Sequence, residues 1–167
     1  AAGSAAPEIA FNQQWAESAF AESAPTPGRS LRIVREDGKG DTKVGHCTAG
    51  GPIRLGSKTY SRGIGVNSYS LLHVSLSQPA ARLEAVIGLD RNVDNSPASV
   101  SFHVAVGGKD VFATGVMRAS NEVQTINVPL AGAHEFDLIV DEGGDGRSFD
   151  QADWADARVV LQDGSEL

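Results

Sequence analysis

Residues 141–157, DEGGDGRSFDQADWADA, crowd five Asp and one Glu around one of the chain's two tryptophans. Carboxylates at that density serve one of three ends. They ligate a metal, orient the hydroxyls of a sugar, or cap tight turns. Asp141 and Asp145 stand among glycines, where backbone carbonyls could supplement them as calcium ligands. A second acidic stretch, DRNVDN at 90–95, sets Asp90, Asn92 and Asp94 at alternate positions. Alternate side chains of a tight loop converge, and calcium takes oxygen ligands from such a set. A structural calcium ion is therefore a candidate cofactor. The helix–loop–helix calcium pattern itself is not met, because its sixth-position glycine is missing. The same composition also makes turns, since Asp, Asn and Gly dominate turns on conformational grounds.

A sugar site needs an aromatic face for stacking and a few placed polar groups for specificity. Tyr60, Tyr69, Phe149 and Trp154 are the aromatics outside the strongest strand patterns. Asp150 and Asp153 flank Trp154, which makes FDQADW a candidate platform. The competing reading has Trp154 as a core plug with Asp153 capping the turn. Catalytic patterns are absent: there is no G-x-S-x-G, no HExxH and no GxGxxG. His46, His73, His103 and His134 stand in no zinc-chelating spacing. Cys47 is the single cysteine, so no intrachain disulfide forms, and a lone cysteine is more often a buried small hydrophobe than a nucleophile. The chain reads as non-catalytic.

The bulk numbers bound the partners. Net charge is −7 with a sequence pI near 5.0. That argues against nucleic acid and against anionic membrane surfaces, both of which call for clustered Lys and Arg. No apolar run reaches the roughly 18 residues of a membrane span, so membrane insertion is not expected. The 167 residues suit one domain with a short appendage. The chain begins with Ala rather than Met, as expected of a processed or trimmed product.

Two regions differ in pattern. Residues 1–28 lack Lys and Arg and place Phe11, Trp15 and Ala19 at i, i+4, i+8 behind Pro7 and Glu8. This predicts a short amphipathic helix, followed by a linker at SAPTPG. From residue 29 to 167 the period becomes two. ASVSFHVAV alternates strictly, with Val100, Phe102, Val104 and Val106 on one side. LRIVR, SLLHVSLS, ARLEAVIGL, KDVFATG, EVQTINVPL, HEFDLIV and ARVVLQ are further strand candidates. Turn signals such as GGKD and LAGA separate many of them. Eight to ten short strands at this spacing predict an all-β sandwich or barrel.

Four stretches resemble, in order, the motifs of the NPCBM family of carbohydrate-binding modules. They are IRLGSKTYSRGIGVNSYSLLHVSL, LEAVIGLD, SVSFHVAVGGKDVFATGVM and DEGGDGRSFDQADWADARV. The resemblance covers residues 30–161. It implies a jelly-roll β-sandwich of the galactose-binding type, often carrying a structural calcium. It implies binding of a galactose-type glycan on behalf of a covalently linked glycoside hydrolase, in an extracellular or periplasmic setting. The site residues expected on this basis are Asn67, Asp90 and Asp153 as polar contacts, with Tyr69 or Trp154 for stacking. Two positions depart from the family pattern: Asn67 and Gln151 stand where the family has histidines. A second reading gives the same sandwich a structural or protein-interaction role without sugar. Loss of both imidazoles and the Phe11/Trp15 stripe are its support.

Overall fold

The computed structural model describes residues 31–37, 42–119, 123–144 and 150–167. The predicted N-terminal helix and linker lie outside the described residues. Within them the chain is all-β, and every strand pairing is antiparallel. The strands are β1 (Leu31–Asp37), β2 (Lys43–Val44), β3 (Ile53–Leu55), β4 (Lys58–Tyr60), β5 (Gly63–Asn67), β6 (Ser70–Leu89), β7 (Ser99–Val106), β8 (Lys109–Ala113), β9 (Met117–Arg118), β10 (Val123–Glu142) and β11 (Gln151–Leu161). One 3-10 turn, Arg91–Val93, is the only helical element among the described residues.

Two 20-residue strands organise the molecule. β6 and β10 pair along their length, from Val123 opposite Gly88 to Val140 opposite Ser70. The register breaks between Pro129 and Glu135, where Ala131 takes a left-handed φ of 49°. Pro79 sits at the same place on β6; it has no N–H for the ladder, and its carbonyl accepts from Gln162 N at 3.0 Å. Beyond this break the neighbours change. Residues 71–76 of β6 pair with β1, and 137–142 of β10 pair with β7, which carries β8 and β9. Residues 80–89 of β6 pair with β11, followed by β5 and β2. Each long strand thus belongs to both layers of the sandwich. The sequence predicts SLLHVSLS and ARLEAVIGL as two strands, and likewise EVQTINVPL and HEFDLIV. Each pair is one strand with a bend, because LAGA is a register break rather than a hairpin.

The two layers meet on the apolar parity of their strands. Phe102, Val104, Leu138, Val140, Leu72 and Val74 face Ile64, Val66, Leu83, Ile87, Val159 and Trp154, all 0–1% exposed. Trp154 on β11 meets Phe102 on β7 edge to face, with centroids 5.0 Å apart and planes at 82°. This pair joins one layer to the other. Trp154→Ala is expected to cost about 3–5 kcal/mol of unfolding free energy in urea titration. A loss below about 1 kcal/mol would show that the indole is not a core anchor.

Candidate functional site

Strand parity places the notable residues on the other face of the β5–β11–β6 layer. On β11, Ala152 and Trp154 enter the core, so Gln151, Asp153 and Ala155 point outward. That face is covered by the segment 45–55 and the β3–β4 hairpin. Ile53, Leu55, Tyr60 and Val86 pack over Ala155. Gly65 lies opposite Asp153 in the ladder. A Cβ on Gly65 would stand 2.5 Å from the His46 carbonyl oxygen and 2.8 Å from Cys47 Cα. Only glycine allows the covering segment to come this close. Asp153 (1% exposed), Asp90 (0%) and Cys47 (2%) are sealed beneath it.

The two carboxyls are supplied unequally. Asp90 Oδ1 accepts from Asn92 N at 2.9 Å, and Asp90 Oδ2 accepts from Arg54 N at 3.0 Å. Asp153 receives no donor at either oxygen. Two ionised carboxylates cannot bond to each other, but a protonated Asp153 donates to Asp90. Burial, the hydrogen bond with Asp90, and the charges of Asp90 and Cys47 push the Asp153 pKa up to about 10. The proton therefore rests on Asp153 at neutral pH, and the pair pins the 3-10 turn and Arg54 to β11.

The same outward parity continues to the open end of the layer. Asn67 lies opposite Gln151, and both are half-buried. Asn92 Nδ2 donates to Gln151 Oε1. Thr48 Oγ1 donates to Asn67 Oδ1 at 3.4 Å. Tyr69, half-buried, follows two residues after Asn67. Asp150 ties this end together. Its Oδ2 accepts from Ser68 Oγ at 2.6 Å, its Oδ1 from Ser99 N at 3.2 Å, and its carbonyl from Ser68 N at 3.1 Å. Three amides and a hydroxyl thus meet at one rim, held from below by two buried acids.

Of the five expected ligand contacts, the structure places Asn67 at this rim, and Tyr69 is half-buried two residues further along the chain. Asp90, Asp153 and Trp154 are buried, so no ring face of Trp154 is offered to solvent and neither acid can reach a sugar. Trp154 is the core plug of the alternative reading. Gln151, Asn92 and Thr48 join the rim instead. Gln151 was visible in the sequence as a departure from the family pattern, and Thr48 carried no signal. At the expected calcium loop, 90–94, the side chains are engaged with the protein itself. Asp90 caps the 3-10 turn with its oxygens turned to N–H donors, and Asp94 lies 3.9 Å from Arg91. Asp141 accepts at 2.8 Å from the N–H of Glu142, and Asp145 lies outside the described residues. Among the described residues no group of three His, Cys, Asp or Glu converges to hold a metal.

Elsewhere, His103 Nδ1 lies 2.8 Å from Asp110 Oδ2 and its Nε2 lies 3.1 Å from Ser101 Oγ. This chain resembles a hydrolase triad in order. It stands on a strand whose register pairs with β10 and β8, a setting that commits the β7 backbone to ladders. His73 similarly lies 2.6 Å from Asp137 and 3.4 Å from Glu135.

An antiparallel sandwich with a polar rim at one end is the architecture of a ligand-binding module. The family is specific: residues 26–160 match the NPCBM/NEW2 domain, and the chain belongs to that family of carbohydrate-binding modules. Among solved structures it resembles CBM51-2 from Clostridium perfringens ZmpB in complex with GlcNAc. That match has a TM-score of 0.68 and 30% identity over 75% of this chain and 29% of the other. It also resembles the CBM51 from Clostridium perfringens GH95 in complex with methyl-galactose. There the TM-score is 0.67 and identity 26%, over 75% of this chain and 91% of the other. A curated relative, "Putative endo-alpha-N-acetylgalactosaminidase" of Renibacterium salmoninarum, is 32% identical over 66% of this chain. The chain spans 7% of that protein's length.

The buried acid pair sets a pH dependence. Asp153 has its folded pKa raised to about 10 from 3.8, so between these values the native state holds one more proton than the unfolded state. The stability this proton contributes is fully present below the ordinary carboxylate range and is lost as pH rises toward 10. Asp153→Asn keeps a donor toward Asp90 and removes the titration. The thermal transition of the variant should therefore gain on the wild type steadily from pH 5 to pH 9. Parallel curves across that range would rule out a proton held at Asp153.

Proposed function

We propose that the chain is a non-catalytic module that holds the terminal sugar of a galactose- or N-acetylhexosamine-bearing glycan at the Asn67–Gln151 rim. The observation that carries this reading is the pairing of Asn67 with Gln151. The two places where the family has histidines face each other across β5 and β11, and Asn92 and Thr48 each bond to one of them. A primary amide carries two N–H donors and an oxygen with two lone pairs. One mutual bond does not exhaust Asn92 and Gln151, and vicinal sugar hydroxyls are matched donors and acceptors. Tyr69 supplies the ring for the apolar sugar face. The ligands in the related structures, GlcNAc and methyl-galactose, support a neutral pyranose, as does the net charge of −7, which offers nothing to an anion.

The likeness to the CBM51 structures supports a jelly-roll of the galactose-binding type. The setting proposed for the module is an extracellular or periplasmic glycoside hydrolase to which it is covalently joined, supported by the curated relative's name and by the chain's small share of that protein. Among the described residues no helix is long and apolar enough to cross a membrane. Calcium is not needed to hold the rim, because Asp90 is already satisfied by backbone donors.

Affinity is expected at about 10 μM to 1 mM, because a hydroxyl-rich ring offers few desolvated atoms. Asn67→Ala, assayed by calorimetry against methyl-galactoside and GlcNAc, should weaken binding by roughly 5- to 30-fold, the loss of one to two hydrogen bonds. Binding should be flat between pH 5.5 and 8, since no imidazole is at the rim. Asn67→His should introduce a midpoint near the ordinary histidine range of about 6.5. Unaltered affinity in Asn67→Ala would move the sugar away from this rim.

A further inference from the structure

The outward face of the β11–β6–β10 layer carries a groove that the rim does not use. Three concavities lie in a row. The first, about 470 Å³, is lined by Gly45, His46, Gly50, Pro52, Thr59 and Tyr60 among others. The second, about 310 Å³, begins at Tyr60 and runs by Lys58 to Val86 and Thr125. The third, about 320 Å³, shares Val86 and Thr125 and ends at Asn127, Asp156 and Arg158. Each falls in the size class of a small-ligand pocket, roughly 300–1,000 Å³. Tyr60 is the wall between the first and second. The segment 45–52 connects the groove to the rim: Thr48 bonds Asn67, while Gly45, His46, Gly50 and Pro52 line the first concavity.

The far end is built by a bulge. The register of β11 on β6 shifts between Ala155 and Arg158. Ala155 packs against the hairpin and Ala157 enters the opposite core, although they are two residues apart. The inserted residue is Asp156, in the left-handed region at φ 44°. Bulges re-aim side chains beside functional sites, and strain of this kind concentrates there. Here the bulge brings Asp156 onto the groove face, within electrostatic reach of Tyr60, whose hydroxyl pKa it raises together with burial. Arg158 Nη2 lies 3.3 and 3.2 Å from the two Asp156 oxygens. The result is a phenol ring next to a fixed carboxylate–guanidinium pair, followed by exposed Thr125 and Asn127. Both motifs behind this pair, KTY and ADWADA, are left unused by the rim.

The chemistry selects an occupant. At this point β6 is paired on both sides, to β11 and β10, so the floor of the groove offers no open ladder to a peptide. The charges of Lys58 and Arg158 are matched by Glu84 and Asp156, so the groove favours no polyion. A ring for stacking and planar polar groups for hydroxyls suit a neutral carbohydrate. We propose that this groove is a second subsite that takes the inner residues of an oligosaccharide whose terminal sugar sits at the Asn67–Gln151 rim. Tyr60 stacks on one inner sugar, and Asp156 with Arg158 binds the hydroxyls of another. The proposal rests on the carbohydrate reading of the rim.

The test is calorimetry of the full chain with two series. One is methyl-galactoside and galacto-oligosaccharides of two to five residues. The other is GlcNAc and chito-oligosaccharides of the same lengths. In at least one series, affinity should rise with length in the wild type. Tyr60→Ala and Asp156→Asn should each weaken the longest ligand by at least about fivefold while leaving the monosaccharide unchanged. Tyr60→Phe should retain the gain, which separates ring stacking from a folding defect. Amide NMR shifts from the longest ligand should include Tyr60, Thr125 and Asn127. Monosaccharide binding that depends on Asn67 without any gain in length, or with shifts confined to the rim, overturns the groove and leaves the rim reading standing. A length gain lost in Tyr60→Ala but kept in Asn67→Ala would put saccharide in the groove without the rim, and overturns the rim reading and the subsite that depends on it. Failure of every saccharide to bind overturns both.

Discussion

Everything at the working end of this molecule depends on how closely residues 46–47 approach Gly65. A side chain there would drive the covering segment outward, because the obstruction is backbone and cannot rotate away. With glycine in place the segment lies flat on β5 and excludes water from Asp153. The exclusion then forces a chemical outcome. A buried carboxylate without donors is expensive as an anion, and it resolves the cost by keeping its proton and donating that O–H in a hydrogen bond to Asp90. Asp90 in turn fixes the N–H groups of Asn92 and Arg54. A steric fact about one glycine becomes the placement of an amide at the rim and of the strand that leads into the hairpin.

This coupling explains why Asp150, Asp153 and Asp156 of the acid-rich stretch do not line up as a row of ligands. Its acids divide by strand parity and by bulge. Asp153 faces the covered layer and is protonated, Asp150 staples the starts of β7 and β11, and Asp156 is turned onto the groove by the extra residue. Identical side chains a few positions apart therefore sit in three different dielectric settings. Composition registers only their sum. Trp154 is carried into the core by the same parity, where the Phe102 contact gives it a structural role that an exposed platform would lack.

The sequence exposes the features whose physics is local. Alternation identified β1, β7 and β8, the parity of the core, and the all-β class. Where the information is long-range, the reading stops short. LAGA has the composition of a turn, yet the flanking runs continue through it, because what decides is their shared pairing with the bent β6. The short β2, β3, β4 and β9 bury too few side chains to show a period. The rim draws Thr48, Asn67, Asn92 and Gln151 from four separate segments, and no spacing along the chain encodes that meeting. Only the departures at 67 and 151 marked two of its members.

Those departures are better understood as a pair than as two losses. Asn67 and Gln151 are register partners, so a change at one alters what the other must satisfy. Two imidazoles facing each other would repel when both are protonated, and their hydrogen-bonding would vary across the pH range where histidine titrates. Two amides carry no charge and keep donor and acceptor in fixed proportion at every pH. Asn92 can then lock one of them without a proton being gained or lost. Amides at these two positions leave the rim without the charge that imidazoles would have set above the acid pair.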